Sequence, residues 1–293
     1  MDILSTMRTL SLFKNSYDMP LFLWGIKRDI VLNSVYGETK VIKTKKDLSA
    51  FIEDTRKQFV IKTVSKKIDA DINKDVIRFR FGKTFVKLFY DSQFQLFNSL
   101  QLADCQFIKR HNRWLDVKNK VVFDIGGNIG DTAIYFAVNG ARHIFVFEPY
   151  PYSCRIAQKN LELNRLKNKV TIIQAAVSSK KSKLYIPTQF KNTNGDRLLR
   201  FKQGIKVQTY TLSDLVNRFG QNHLAMKMDC EGYEYEIIRH TSRSILAKFD
   251  DIIISCHGNN KKGVENIKKK LSESGFAIVD GLPDNSIGAF KKY

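Results

Sequence analysis

Val121-Val122-Phe123-Asp124-Ile125-Gly126-Gly127-Asn128-Ile129-Gly130-Asp131-Thr132 is a buried-type strand, a tight glycine turn and the opening of a helix. Gly126 and Gly130 let the backbone approach a ligand, and the helix start supplies N–H groups with no intrahelical partner. A dinucleotide-binding turn carries Gly-x-Gly-x-x-Gly here and lays a pyrophosphate on those N–H groups. This turn reads Asp-x-Gly-x-Asn-x-Gly instead. An acid ahead of the first glycine repels pyrophosphate but accepts hydrogen bonds from an ammonium group. The pattern points to S-adenosylmethionine (SAM), whose amino-acid end is zwitterionic and whose sulfonium is cationic. An ordinary strand-to-helix turn is the plain structural alternative.

Outward from this turn, short apolar runs alternate with helical periodicity. The runs are Val121–Ile125, Ile144–Phe147, Val170–Ile173, Leu224–Met228, Ile252–Ile254, Phe276–Val279 and Ile287–Phe290. Helices are expected at Asp131–Val138, Ser153–Leu163, Tyr233–Leu246 and Val264–Ser274. Repeated β-then-α units imply an α/β fold, a Rossmann-like and mostly parallel sheet of seven strands with helices on both faces. The link between the last two strands, Gly281 to Ser286, is too short for a crossover helix, so the last strand is expected to run antiparallel.

The second strand ends in Phe147-Glu148-Pro149, with its carboxylate 24 positions after Asp124. An acid there can hold both hydroxyls of a ribose. SAM and dinucleotides share that need, so the turn chemistry, not Glu148, separates them. The candidate cofactor residues are Asp124, Gly126, Asn128, Gly130 and Glu148. Gln174-Ala175-Ala176, after the third strand, leaves room for a flat adenine ring.

Four elements occur in order: Asp124 to Asp131, Phe147-Glu148-Pro149-Tyr150-Pro151, Asn160-Leu161-Glu162-Leu163-Asn164 and Asp229-Cys230-Glu231-Gly232-Tyr233-Glu234. Together they resemble the FkbM-type family of class I SAM-dependent methyltransferases over residues 118–293. The resemblance implies O-methylation of a sugar or small-metabolite hydroxyl. It also implies a carboxylate beside a histidine at the end of the fifth strand. This strand ends Ser255-Cys256-His257-Gly258, with the histidine but no acid, which puts a Glu–His pair in question. The Asn160–Asn164 element also reads simply as a helix end.

Asp229, Glu231 and His257 are the candidate catalytic residues, at the carboxyl edge where open α/β sheets bind ligands. Three readings of Asp229 stay open. It contacts the methionine amine or the acceptor, shares a divalent-metal site with Glu231, or caps the following helix. His257 suits a general base, because an unperturbed imidazole titrates near 6.5, or a structural role. No metal is assigned.

Residues 1–117 form the second unit, an N-terminal helical and β-hairpin module. Leu4, Met7, Leu10 and Leu12–Phe13 recur at helical spacing, and Asp47 is placed at the start of another helix. Val76–Phe81 and Thr84–Tyr90 flank Gly82-Lys83 as a hairpin, and a helix is expected through Phe94, Leu96, Phe97 and Leu100.

Composition sets the bounds. The 293 residues are 43% hydrophobic and 27% charged, which excludes a disordered or collagen-like chain. Four cysteines without a Cys-x-x-Cys pair exclude a zinc ribbon and point to free thiols. The longest apolar stretch near the start, Met19–Ile26, is too short to span a bilayer and contains Pro20. No signal-peptide pattern is read at the start, and a cytoplasmic protein is expected.

The charge of +20 is spread along the chain: 21 Lys/Arg against 13 Asp/Glu in residues 1–117, and 28 against 16 in the rest. Such a field suits polyanions, acidic membranes or anionic small substrates. An RNA ribose 2′-O-methyltransferase is therefore one alternative, although nucleic acid is not the favoured partner. A base N-methyltransferase is disfavoured because the chain has no Pro-Pro dipeptide. A non-catalytic module binding an anionic ligand is the alternative from another class. The polar stretch Thr188–Gln208 is expected to form the acceptor wall.

Overall fold

A computed structural model describes residues 10–92, 95–186, 204–220, 222–258, 260–282 and 286–291. Leu4, Met7, Phe94 and positions 188–203 of the expected acceptor wall lie outside the described residues.

The N-terminal part is less helical than its spacing suggests. α1 (Asp18–Leu23) leads to an antiparallel hairpin, β1 (Ile30–Asn33) and β2 (Thr39–Ile42). Ile30, Leu32 and Ile42 alternate into a small core with Phe22, Leu48 and Phe51, a period of two that the helical reading overlooked. Leu12 and Phe13 are buried there too, with Phe13 bridging Ser34 rather than continuing a helix. α2 (Lys45–Lys67) starts earlier than Asp47. Thr44 is its N-cap, and Asp47 completes a capping box three residues in.

β3 (Asp71–Asn73), β4 (Val76–Phe81) and β5 (Thr84–Phe89) form an antiparallel sheet that includes the expected hairpin. α3 (Leu96–Ala103) runs into a π-turn at Asp104–Ile108 and a short 3-10 turn at His111–Trp114.

The main sheet contains β6 (Val121–Ile125), β7 (His143–Phe147), β8 (Val170–Ile173), β12 (Leu224–Met228), β13 (Phe249–Ser255), β14 (Phe276–Leu282) and β15 (Ser286–Lys291). Their spatial order is β14-β15-β13-β12-β6-β7-β8. All pairs are parallel except those of β15, which runs antiparallel to both β13 and β14, as the short link requires. α4 (Asp131–Val138) and α5 (Pro151–Leu163) cross over between the early strands. The helix expected at Tyr233–Leu246 is two, α7 (Glu234–His240) and α8 (Arg243–Leu246), because Ser242 caps a fresh start through the Ile245 N–H. Between β8 and β12 come β9 (Ala176–Val177), β10 (Lys183–Ile186), β11 (Ile205–Tyr210) and α6 (Leu212–Phe219). β9–β11 form a small sheet that no periodicity announced.

Strand alternation divides the core in two. Val121, Phe123 and Ile125 face α7, α8 and α9 (Lys261–Glu273). Val122, Ile144 and Val146 face α4 and the β4–β5 hairpin, through Phe79, Val86 and Leu88. The Asn160–Asn164 element joins the hairpin to this sheet. Asn160 accepts from the Phe89 N–H (2.7 Å) and donates to the Ile129 carbonyl (2.8 Å). Asn164 accepts from the Lys87 N–H (2.9 Å) and donates back to its carbonyl, so its amide pairs with β5 as a strand would. Asn160 is fully buried, so Asn160→Ala strands a backbone donor and a carbonyl acceptor. We expect it to cost about 1–3 kcal/mol, read as a lower thermal midpoint.

Candidate active site

The strand order reverses where β6 neighbours both β7 and β12, and a crevice opens at the carboxyl ends of these strands. Close packing makes the floor. The Asp229 N–H donates to the Ile125 carbonyl (2.9 Å), bringing the end of β12 onto the glycine turn. A Cβ on Gly126 would lie 1.9 Å from the Asp229 carbonyl oxygen, and its φ of +76° already excludes most side chains. Gly130, with φ +78°, starts α4 against Ala157 of α5.

Most sequence-predicted residues meet here. Gly126, Asn128, Glu148, Asp229 and Glu231 line the cavity, and Ala175 and Ala176 form part of its wall with Phe147. Glu148 accepts from the backbone N–H groups of Asn128 and Tyr150, each at 2.9 Å, so its carboxylate fixes the glycine turn. Burial outweighs those bonds and pushes its titration up to about 7.

Asp124 sits differently from expectation: it is fully buried behind the wall. It accepts from the Thr132 hydroxyl and pairs at 3.3 Å with the Lys227 ammonium, the residue beside it in strand register. The ammonium that it faces is therefore the chain's own. Lys227 also donates to the Gly126 carbonyl (2.8 Å) and lies 3.8 Å from Asp229. Burial alone would lower its pKa, yet Asp124, Asp229 and Asp131 together hold it above the ordinary lysine range.

Asp131 is the residue that the sequence reading missed. It is buried, lines the cavity, and its Oδ2 has no hydrogen-bond partner. Burial raises its titration to about 7, Asp124 and Asp229 add to the rise, and Lys227 opposes it. Asp131 lines the wall, and its unpaired carboxylate oxygen suits a cationic donor. With Glu148, Asp229 and Glu231 against a single Lys227, the wall fits the ammonium and sulfonium of SAM. Leu102 and Gln106 also line the cavity from α3 and the π-turn. Their sequence carried no signal for that.

The acid that β13 lacks comes from the start of α7. Glu234 is fully buried, accepts from the His257 N–H (2.7 Å) and the Gly232 N–H (2.8 Å), and lies 3.3 Å from His257 Nδ1. The Glu–His pair is present, with its acid at the end of the Asp-x-Glu-Gly-x-Glu element. His257 Nε2 then points at Asp229 (3.4 Å) and Glu231 (3.8 Å). His257 itself is not on the cavity wall. Asp229 is two residues short of Glu231, whose φ of +55° precedes Gly232 at +106°, so a left-handed turn separates it from α7. Tyr233, not Asp229, is the residue before that helix, and no side-chain cap is formed. The donor atoms of Asp229, Glu231 and His257 lie within 4.8 Å of one another, a set that could hold a divalent cation.

Glu234 chiefly, with Asp229 and Glu231, raises His257 to about 9 against the opposing effect of burial. The imidazolium is therefore the form present at neutral pH. A histidine raised on folding contributes stability that is complete below its unfolded value near 6.5 and is lost as pH rises through about 9. Thermal midpoints measured across that window should fall with pH, and Glu234→Gln should flatten the fall.

An open sheet of this order, closed by an antiparallel strand and with its site at the switch point, is the fold of class I methyltransferases. Residues 124–278, more than half of the chain, match the methyltransferase FkbM domain, and the chain belongs to that family. A ribosomal protein L11 methyltransferase from Carboxydothermus hydrogenoformans is 38% identical over 55 residues, 19% of this chain and 18% of that protein. The chain is similar to the crystal structure of methyltransferase FkbM from Methylobacillus flagellatus KT at 12% identity and a TM-score of 0.42, over 81% of this chain and 60% of that one. It is similar to the ribosomal protein L11 methylase of Lactobacillus delbrueckii subsp. bulgaricus at 17% identity and a TM-score of 0.38, over 68% and 81% of the two chains.

Proposed function

We propose that the protein is a SAM-dependent methyltransferase acting on a hydroxyl of a sugar or small metabolite. The observation that carries this reading is the acidic wall, to which Asp131, Glu148, Asp229 and Glu231 contribute and in which Asp131 keeps an unpaired carboxylate oxygen. SAM, when bound, supplies a methyl group already activated by its sulfonium, so the chain's task is alignment. Asp131 receives the ammonium. Glu148 and the turn through Gly126 and Asn128 receive the ribose, with the Phe147, Ala175 and Ala176 surface against the adenine, while Gly130, off the cavity wall, lets α4 start close to Ala157. Asp124 serves from behind, by holding Lys227 and thereby the turn.

Asp229 accepts the acceptor's hydroxyl proton, and Glu231 lines the same edge. His257, as an imidazolium held by Glu234, keeps both carboxylates in place. A second reading rests on the convergence of Asp229, Glu231 and His257: a divalent cation there would lower the pKa of a bound hydroxyl instead. Residues 1–117 act as a module that completes the wall through Leu102 and Gln106, in front of the domain at 118–293. We read the protein as cytoplasmic; no helix among the described residues is long and apolar enough to cross a membrane.

The test is SAM-dependent methyl transfer to a fractionated metabolite extract, with an RNA fraction beside it. Labelling of a sugar-containing fraction supports the reading. Labelling confined to RNA would favour ribose 2′-O-methylation, and none in any fraction would favour the non-catalytic module.

A further inference from the structure

Of the eleven large apolar side chains that are exposed among the described residues, seven lie between positions 17 and 41. Leu23 through Asp29 is an unbroken exposed run, Leu-Trp-Gly-Ile-Lys-Arg-Asp. Its tips protrude: Trp24 is 75% exposed, Ile26 68% and nearby Tyr17 71%. The run is nonetheless held. Met19 and Phe22 anchor α1 in the small core, and the backbone N–H groups of Ile26 and Lys27 both donate to the Leu21 carbonyl (2.8 and 3.1 Å). Buried Asp18 pairs with Lys27 (2.5 Å). Gly25, at φ +76° with open space beside it, turns the chain between Trp24 and Ile26. On the adjoining hairpin, Val31 and Val41 are opposite each other and also exposed.

Charge distinguishes the occupant. Between positions 14 and 46 every basic side chain is exposed, seven in all, against two exposed acids, Asp29 and Glu38. An exposed aromatic and aliphatic run continuing into Lys27 and Arg28, in a segment rich in exposed lysine, suits the headgroup boundary of a bilayer, where Trp and Tyr partition and anionic lipid attracts basic residues. We infer that this N-terminal edge docks the protein peripherally on an anionic membrane surface. The insertion is by Leu23, Trp24 and Ile26, with Arg28 at the phosphates. This goes beyond the methyltransferase reading and does not depend on it.

The experiment is sedimentation of the full chain with phosphatidylcholine vesicles, alone or with about a third phosphatidylglycerol, at about 0.1 M salt. Binding is expected to the anionic vesicles and should weaken at least about tenfold near 0.5 M salt. The double variant Trp24→Ser, Ile26→Ser should weaken it at least about tenfold with an unchanged thermal midpoint, since both side chains are exposed. Failure to bind anionic vesicles would overturn the inference, as would equal binding by the double variant. Concentration-dependent dimerisation that the double variant abolishes would assign the tip to a second copy of the chain instead.

Discussion

Asp229→Asn should lower methyl transfer about 100-fold or more while leaving the fold and most SAM affinity in place. The side chain is at the cavity edge, about one-third exposed, 3.4 Å from His257 Nε2 and 3.8 Å from Lys227. An amide of the same shape fills the same place beside both neighbours but carries no charge and cannot accept a proton. Loss of rate without loss of affinity is therefore the signature of proton uptake or acceptor positioning. The helix-cap explanation, under which the change would be nearly silent, has already lost its geometry, because Tyr233 precedes α7 without a side-chain cap. If instead a cation is held by Asp229, Glu231 and His257, EDTA should abolish activity in the wild type and Mg²⁺ restore it. Full activity of Asp229→Asn with an identified acceptor would remove Asp229 from the mechanism.

Glu148→Ala should weaken SAM affinity by about 1.5–3 kcal/mol, roughly 10- to 150-fold. The structure adds a reason beyond ribose contact. Both carboxylate oxygens already accept backbone N–H groups, from Asn128 and Tyr150, and an alanine side chain would leave two half-buried donors of the turn without these acceptors. Glu148→Gln retains one good acceptor and should fall between the wild type and the alanine variant. Affinity measured by calorimetry on folded protein decides the matter; an unchanged value for Glu148→Ala excludes it from the site.

The frame of the sheet was readable because each strand is a short apolar run, α4 is apolar almost throughout and α5 keeps one apolar stripe. α4 coincides with its expected bounds, and β15 turns back as the short link demands. Reading failed where a side chain's partner comes from elsewhere in the chain. Asp124 has the right motif position, yet its own partner is Lys227, brought opposite it only by the β6–β12 register. Glu234 reaches His257 through a left-handed turn at Glu231-Gly232, so an acid that seemed missing from one strand end arrives from another. Asn160 and Asn164 look like a helix stop in one dimension; in three they pair with a strand 71 and 77 positions away. Asp131 looks like an ordinary acid in a first helical turn, and only its burial and unpaired oxygen make it a ligand candidate.

Calorimetric titration with S-adenosylhomocysteine between about pH 6 and pH 8 tests the central claim most directly. It reads the binding of an ammonium by Asp131, which titrates near 7 in the folded chain. Protonated below that value, Asp131 repels no cation but offers it no charge; ionised above it, it does. Affinity should therefore rise with pH through about 7 and level off above, and Asp131→Asn should weaken binding and reduce that dependence to the part contributed by Glu148, which is also raised to about 7. No binding at millimolar ligand, with NAD bound instead, would contradict the cofactor assignment, and binding that is tight at every pH in Asp131→Asn would contradict the site.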